Sequence, residues 1–165
     1  LKDATRRERF ERALLPHLDA AYNLARWLTG SGHEAEDAVQ EACLRALEYF
    51  EGFRGEDGRA WLLAIVRNTC YDRLRRTRPT EELLDAADSA AGPEALQLQA
   101  ADRALVHRGM ERLPAEYREA LVLREMEGLS YREIARVAGV PVGTVMSRLA
   151  RARAGLRAAI VKERQ

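Results

Sequence analysis

Apolar residues recur along this chain at intervals of three and four, and nowhere do they alternate with polar ones over the length of a strand. A period near 3.6 belongs to helices that bury one stripe. Val, Ile and Thr, the residues that favour strands, number only 18 of 165, so the expected fold class is all-α. Glycines and prolines mark the breaks, and the pattern predicts helices over Arg7–Leu28, His33–Glu51, Arg59–Arg78, Glu94–Arg112, Pro114–Glu127, Ser130–Ala138 and Pro141–Val161. Within them, three stripes are expected to face inward: Val39, Ala42, Cys43, Ala46, Leu47 and Phe50; Leu62, Val66, Cys70 and Leu74; and Val145, Leu149, Ala152, Leu156 and Ile160.

Between the third and fourth helices, Pro79 to Pro93 is rich in Ala, Asp and Glu and short of large apolar residues, which predicts an acidic flexible linker. Two small helical bundles follow from this, residues 1–78 and 96–165, with 79–95 between them. A hydrophobic content of 47% with 32% charged residues describes a folded, soluble chain. No apolar run is long enough to span a bilayer, and the first residues have no apolar signal core, so a cytoplasmic protein without membrane contact of its own is expected.

The net charge of +1 hides segregation. Arg67, Arg73, Arg75, Arg76 and Arg78 crowd one stretch, and Arg148, Arg151, Arg153, Arg157 and Lys162 another; the acids gather in His33–Gly58 and in the linker. Alternating basic and acidic faces suit a protein that meets nucleic acid in two places and a protein partner in others.

Other chemistry finds little support. Cys43 and Cys70 have no CxxC partner and read as buried free thiols. Gly30-Ser31-Gly32-His33-Glu34-Ala35 matches a dinucleotide loop only superficially, because a helix precedes it where that loop needs a strand. His17, His33 and His107 have no ligand partners at helical spacing, and no nucleophile and base are paired. No metal, no cofactor and no enzymatic activity are expected.

Positive evidence is concentrated near the C-terminus. Ser130-Tyr131-Arg132-Glu133 is a capping box, Gly139 a stop and Pro141 a start, so a short helix, a tight turn and a longer helix form a helix-turn-helix. On the second of these helices Thr144, Ser147, Arg148 and Arg151 share a polar face in the half that enters a major groove, while Arg153 and Arg157 lie off that line and suit phosphates. These residues point to duplex DNA.

With those motifs in hand, Leu113-Pro114-Ala115-Glu116-Tyr117-Arg118-Glu119-Ala120-Leu121, Glu127-Gly128-Leu129-Ser130-Tyr131-Arg132-Glu133-Ile134-Ala135 and the run from Gly139 to Arg153 resemble region 4 of the extracytoplasmic-function (ECF) sigma factors. The resemblance implies that Thr144, Ser147, Arg148, Arg151 and Arg153 read the −35 promoter element. Met146 departs from the family, which often has a basic residue there.

The first half is similar to sigma region 2. Glu36-Asp37-Ala38-Val39-Gln40-Glu41 resembles the family's helix that docks on the β′ clamp, which implies that Glu34, Asp37, Gln40 and Glu41 bind core RNA polymerase. Phe53-Arg54-Gly55, Trp61 to Asn68 and Asp72-Arg73-Leu74-Arg75-Arg76 are similar to the family's −10 segment. Implied contacts with the opened −10 strand are Gly55, Glu56, Asp57, Gly58, Arg59, Trp61, Asn68, Asp72, Arg73, Arg75 and Arg76. Physical logic agrees, since arginines can hold phosphates while an aromatic stacks on an unpaired base at about 1–3 kcal/mol.

The resemblance further implies the β flap and promoter DNA as partners, and an anti-sigma factor as regulator. The 17 residues from Pro79 to Ala95 could reach roughly 55–60 Å, more than one DNA turn of about 34–36 Å, so two separated elements can be bound at once. A competing reading is a stand-alone helix-turn-helix regulator with an N-terminal sensor or dimerisation domain. It leaves the acidic helix and the Trp61 to Arg76 pattern unexplained.

Overall fold

The structure is a computed structural model and describes residues 2–55, 57–76 and 94–165, with the backbone alone for 94–99. Among them every regular element is helical. In order these are α1 (Lys2–Leu14), α2 (Leu18–Thr29), α3 (Gly32–Tyr49), α4 (Gly58–Arg76), α5 (Glu94–Glu111), α6 (Ala115–Leu121), α7 (Tyr131–Ala138) and α8 (Val142–Arg164). The proposed linker lies outside the described residues except for Glu94 and Ala95, which open α5.

One expected helix is two. Pro16 cannot donate to the ladder, and Leu15–His17 tightens into a 3₁₀ turn that separates α1 from α2. At the other end of α2, Gly30 takes φ +74°, a left-handed stop that lets Ser31 cap α3 through the amide of Glu34. Gly30 thus makes the interhelical turn that the sequence suggests, and Gly32 opens α3.

Helices α2, α3 and α4 pack into the first bundle. Ala35, Ala38, Ala42 and Ala46 are fully buried along α3, and their small side chains let it lie close to Leu24 and Leu28 of α2 and to Leu62, Leu63 and Val66 of α4. Two expected core residues are not in it: Leu47 is 40% exposed and Leu74 37%. Both lie near the C-terminal end of their helix, where the stripe has rotated toward solvent. Cys43 is only half-buried, whereas Cys70 is buried and its thiol pKa is pushed up to about 12 by desolvation. A thiol held neutral in this way is a packing group.

In the second bundle α6 is the central element: Glu119, Ala120, Leu121, Val122 and Leu123 are all buried. The helix widens into a π turn over Val122–Met126 before Gly128, at φ +68°, breaks it. Ser130 then caps α7, accepting from the amide of Glu133 at 3.1 Å while Glu133 Oε1 accepts from the amide of Ser130 at 3.0 Å. Gly139 at φ +67° turns the chain, and α8 lays Val145, Leu149 and Ala152 against Ile134 and Val137 of α7. Leu156 and Ile160 continue the stripe half-buried, facing Gly109 of α5.

Candidate nucleic-acid interface

On the second bundle the turn holds α8 with its polar face outward. Ser147 and Arg151 are exposed, and Thr144 and Arg148 are half-buried. Among the described residues no carboxylate forms a salt bridge with Arg148 or Arg151, so both guanidinium groups keep their charge for an incoming anion. Ser147 donates to the Thr144 carbonyl at 3.1 Å, which occupies its hydroxyl hydrogen and leaves the oxygen to accept. Met146 projects beside them, 54% exposed. Arg153 is different: it is tied to Glu125 at 2.8 Å, and this carboxylate raises its pKa.

The first bundle brings the proposed polymerase-docking acids and the proposed −10 arginines onto one seam. Arg73 of α4 meets Glu34 at 3.0 Å, Glu41 at 3.2 Å and Asp37 at 3.8 Å, all from α3. Arg45 joins Glu41 at 3.0 Å to Asp72 at 3.1 Å. Gln40 is exposed beside this network, and Asn68, Arg75 and Arg76 are exposed on α4. The two surfaces inferred separately from sequence therefore share an edge. Arg45 was missed by sequence reasoning; its signal was the spacing of four from Glu41, which on a helix places opposite charges together.

At the N-terminus of α4 several implied −10 residues have structural duties. Asp57 caps the helix, its carboxylate accepting from the amide of Ala60 at 3.1 Å. Gly58 lies so near the carbonyl oxygen of Ala13 that a Cβ would collide with it. Gly55 holds φ +86°, a conformation that favours glycine. Glu56 lies outside the described residues. Trp61 and Phe53 are half-buried with ring centroids 4.8 Å apart, and Phe50, 5.8 Å from Phe53, is buried, so a two-ring aromatic shelf meets solvent next to the loop. Such a shelf can take a stacked base.

A third set of contacts joins the bundles. Arg67 of α4 donates to the buried carboxylate of Glu119 on α6 at 2.6 Å, and the Tyr71 hydroxyl donates to its other oxygen at 3.2 Å. Burial pushes the Glu119 carboxyl pKa up, and the attraction of Arg67, its hydrogen bond and that of Tyr71 recover part of the cost. Arg59 donates to Glu133 at 3.1 Å and to the Glu127 carbonyl at 3.2 Å, while Asn23 donates to the Glu127 carboxylate at 2.8 Å. Nothing in the motifs pointed to Arg67, Tyr71 and Glu119 as partners, because they are 48 and 52 residues apart.

Among the described residues no group of His, Cys, Asp and Glu could hold a metal ion, and no helix is long and apolar enough to cross a membrane. One bundle presents a helix-turn-helix whose Arg148 and Arg151 have no salt bridge among the described residues, and the other an arginine-rich helix beside half-buried aromatic rings, an arrangement suited to binding DNA in two places. Residues 14–80 match the family model "Sigma-70 region 2" and residues 103–156 the model "Sigma-70, region 4". The chain is 39% identical over 153 residues to the ECF RNA polymerase sigma factor SigM of Mycobacterium tuberculosis, covering 89% of this chain and 74% of that one. To the ECF RNA polymerase sigma-E factor of Escherichia coli it is 38% identical over 134 residues, covering 73% and 70%. Among solved structures it resembles the sigma factor RpoE of Bartonella quintana in complex with the anti-sigma factor NepR, with a TM-score of 0.76, 30% identity and coverage of 92% and 96%. It also resembles CnrH in complex with the cytosolic domain of CnrY, with a TM-score of 0.68, 28% identity and coverage of 93% and 88%. The chain belongs to the ECF sigma factors of RNA polymerase, which are transcription-initiation factors and not themselves enzymes.

Proposed function

We propose that this sigma factor divides promoter reading between its bundles as follows. Residues 1–78 bind core polymerase through Glu34, Asp37, Gln40 and Glu41 at the β′ clamp, and receive the opened −10 strand on Trp61, Asn68, Arg75, Arg76 and the loop from Gly55 to Arg59. Residues 96–165 rest on the β flap and read the −35 element through Thr144, Ser147, Arg148 and Arg151, with Arg153 toward phosphate. Residues 79–95 connect them. The observation that carries this division is the contrast in pairing: among the described residues Arg148 and Arg151 have no salt-bridge partner, and they sit on the outward face of a capped helix-turn-helix, where duplex readout takes place.

Polymerase is a necessary partner in this reading. A net charge of +1 supplies little counterion release, so each bundle alone grips DNA weakly. Docking both on core polymerase makes the second contact intramolecular and raises its effective concentration. The protein works in the cytoplasm, and an anti-sigma factor restrains it by covering the docking surfaces. The sigma factor RpoE, whose solved structure it resembles, was captured with such a partner.

Run-off transcription from a promoter library with bacterial core polymerase tests the proposal. Transcripts from a defined set of promoters are expected only when this protein is added. Tight, sequence-selective duplex binding by the free protein with no transcripts would favour a stand-alone regulator instead.

A further inference from the structure

The outward face of α8 is cationic on one flank and apolar on the other, and packing does not explain the apolar flank. Val145, Leu149 and Ala152 are buried and fix which side of the helix meets the rest of its bundle. With about 3.6 residues to the turn, the opposite side runs from Val142 and Met146 on one flank, across Gly143, Ala150 and Ser147, to Arg151 and Arg148 on the other. Met146 is 54% exposed and Val142 38%, and Gly143 and Ala150 between them and the arginines are exposed as well. Arg148 is half-buried and lines a small cleft with Glu119, so it holds the far flank. A solvated helix face ordinarily carries charged and polar side chains. Here the two largest side chains on the exposed flank near the start of the helix are apolar.

The chemistry of a DNA duplex supplies a match for such a flank. Among the groups that base pairs present in the major groove, the 5-methyl of thymine is the apolar one, and apolar side chains are what distinguish it. Met146 suits that contact, because an unbranched thioether chain with three rotatable bonds can settle against a methyl group without demanding one exact approach. Gly143 helps by its size. A Cβ added there would meet nothing within 4 Å, so open space lies beside Met146, and small residues at 143 and 150 let the backbone come near the groove floor. Charge selects DNA over a protein groove as the occupant. From Pro141 to Lys162 the chain has five basic residues and no acid, and Arg148 and Arg151 on the same face have no salt bridge among the described residues.

We infer that Met146, with Val142 one turn before it, is a specificity-determining residue that reads the 5-methyl group of a thymine in the −35 duplex, beside the polar contacts of Ser147, Arg148 and Arg151. The inference rests on the proposed role of α8 at the −35 element and adds which base its apolar flank selects.

The test uses holoenzyme assembled from this protein and bacterial core polymerase, presented with duplex promoters randomised over the −35 element. Wild type is expected to enrich thymine at one position or two adjacent ones, and Met146→Ala to lose that enrichment while keeping the preferences at neighbouring positions. Replacing the enriched thymine by deoxyuridine then removes the methyl group and leaves base pairing, charge and every hydrogen-bonding group in place. Wild-type affinity should fall about fourfold, the effect of one buried methyl group. Met146→Ala should bind the two duplexes equally, and Met146→Leu, which restores an apolar chain, should regain the difference. The deoxyuridine comparison needs only the wild-type protein, so it holds whether or not a variant folds. Equal wild-type affinity for the two duplexes would overturn the inference, and so would a loss in Met146→Ala as large as in wild type. Enrichment confined to bases other than thymine would overturn it while leaving −35 reading by α8 intact. No enrichment at any −35 position would remove that reading and the inference with it.

Discussion

The two arginine-rich helices of this protein, α4 and α8, have similar composition and opposite electrostatic situations. On α4, Arg73 is enclosed by Glu34, Asp37 and Glu41 of the neighbouring helix, and Arg59 and Arg67 by carboxylates of the other bundle. On α8, Arg148 and Arg151 have no salt bridge among the described residues, while Arg153 is paired with Glu125 and Arg164, at the far end of the helix, with Asp102. A count of basic residues would rank the two helices equally as DNA ligands. Pairing separates them: in the proposed division of roles α8 is ready for a duplex, while α4 would have to exchange protein carboxylates for phosphates. That exchange suits a surface used only after polymerase has docked, because free arginines there would draw the protein onto DNA at large.

Several experiments would break or sharpen this contrast. The largest effect is expected from Leu149→Ala, which empties a fully buried position beneath the DNA-facing side of α8 and should cost about 2–5 kcal/mol in denaturant unfolding. If the bundles unfold independently, the loss appears in one of two transitions; if the contacts between the bundles couple them, a single transition shifts. Next, Arg148→Ala should weaken discrimination of the −35 element by roughly 1–3 kcal/mol in holoenzyme promoter binding. An unchanged preference would mean that Arg148 serves Glu119 and not a base.

On the paired side of the comparison, Asp37→Arg places a second cation where Arg73 now finds an anion at 3.8 Å. Affinity for core polymerase should fall about tenfold, about 1.4 kcal/mol, with helix content retained; unaltered affinity would remove Asp37 from the docking surface. The smallest effect concerns Glu133, whose carboxyl pKa is held at about 2, chiefly by the Ser130 amide and then by Arg59. A depressed folded-state pKa contributes stability that is fully present above the ordinary carboxylate range and is lost as pH falls toward about 2. For this partly solvated group the loss should be at most about 1 kcal/mol. Glu133→Gln should flatten that part of the pH profile in thermal melts, and an unchanged slope between about pH 5 and 2 would assign it to other carboxylates.

The fold class was readable because helix formation here is local. The capping box at Ser130, the stop at Gly139 and the spacing of Val145, Leu149 and Ala152 each act within a few residues, and each is found where the pattern predicts it. The same reasoning stumbled where a stripe was extended past its support, as at Leu47 and Leu74, and where a helix was run through Pro16. Of the implied −10 loop, Asp57 and Gly58 came to notice through a family motif, yet both already answer to local demands: a cap on α4 and a close approach to Ala13.

Sequence by itself determined the periodicity of seven helical segments, one of which Pro16 divides in two, together with the helix-turn-helix and its outward arginines, because each depends on neighbours within one or two turns. Only the tertiary structure decided which arginines are neutralised. Arg73 finds its acids 32 and 39 residues away and Arg67 finds Glu119 52 residues away, and such pairings follow from how helices pack, a property that no window along the chain contains. Whether a charge is available to a ligand is therefore a tertiary fact, even when the charge itself is plain in the sequence.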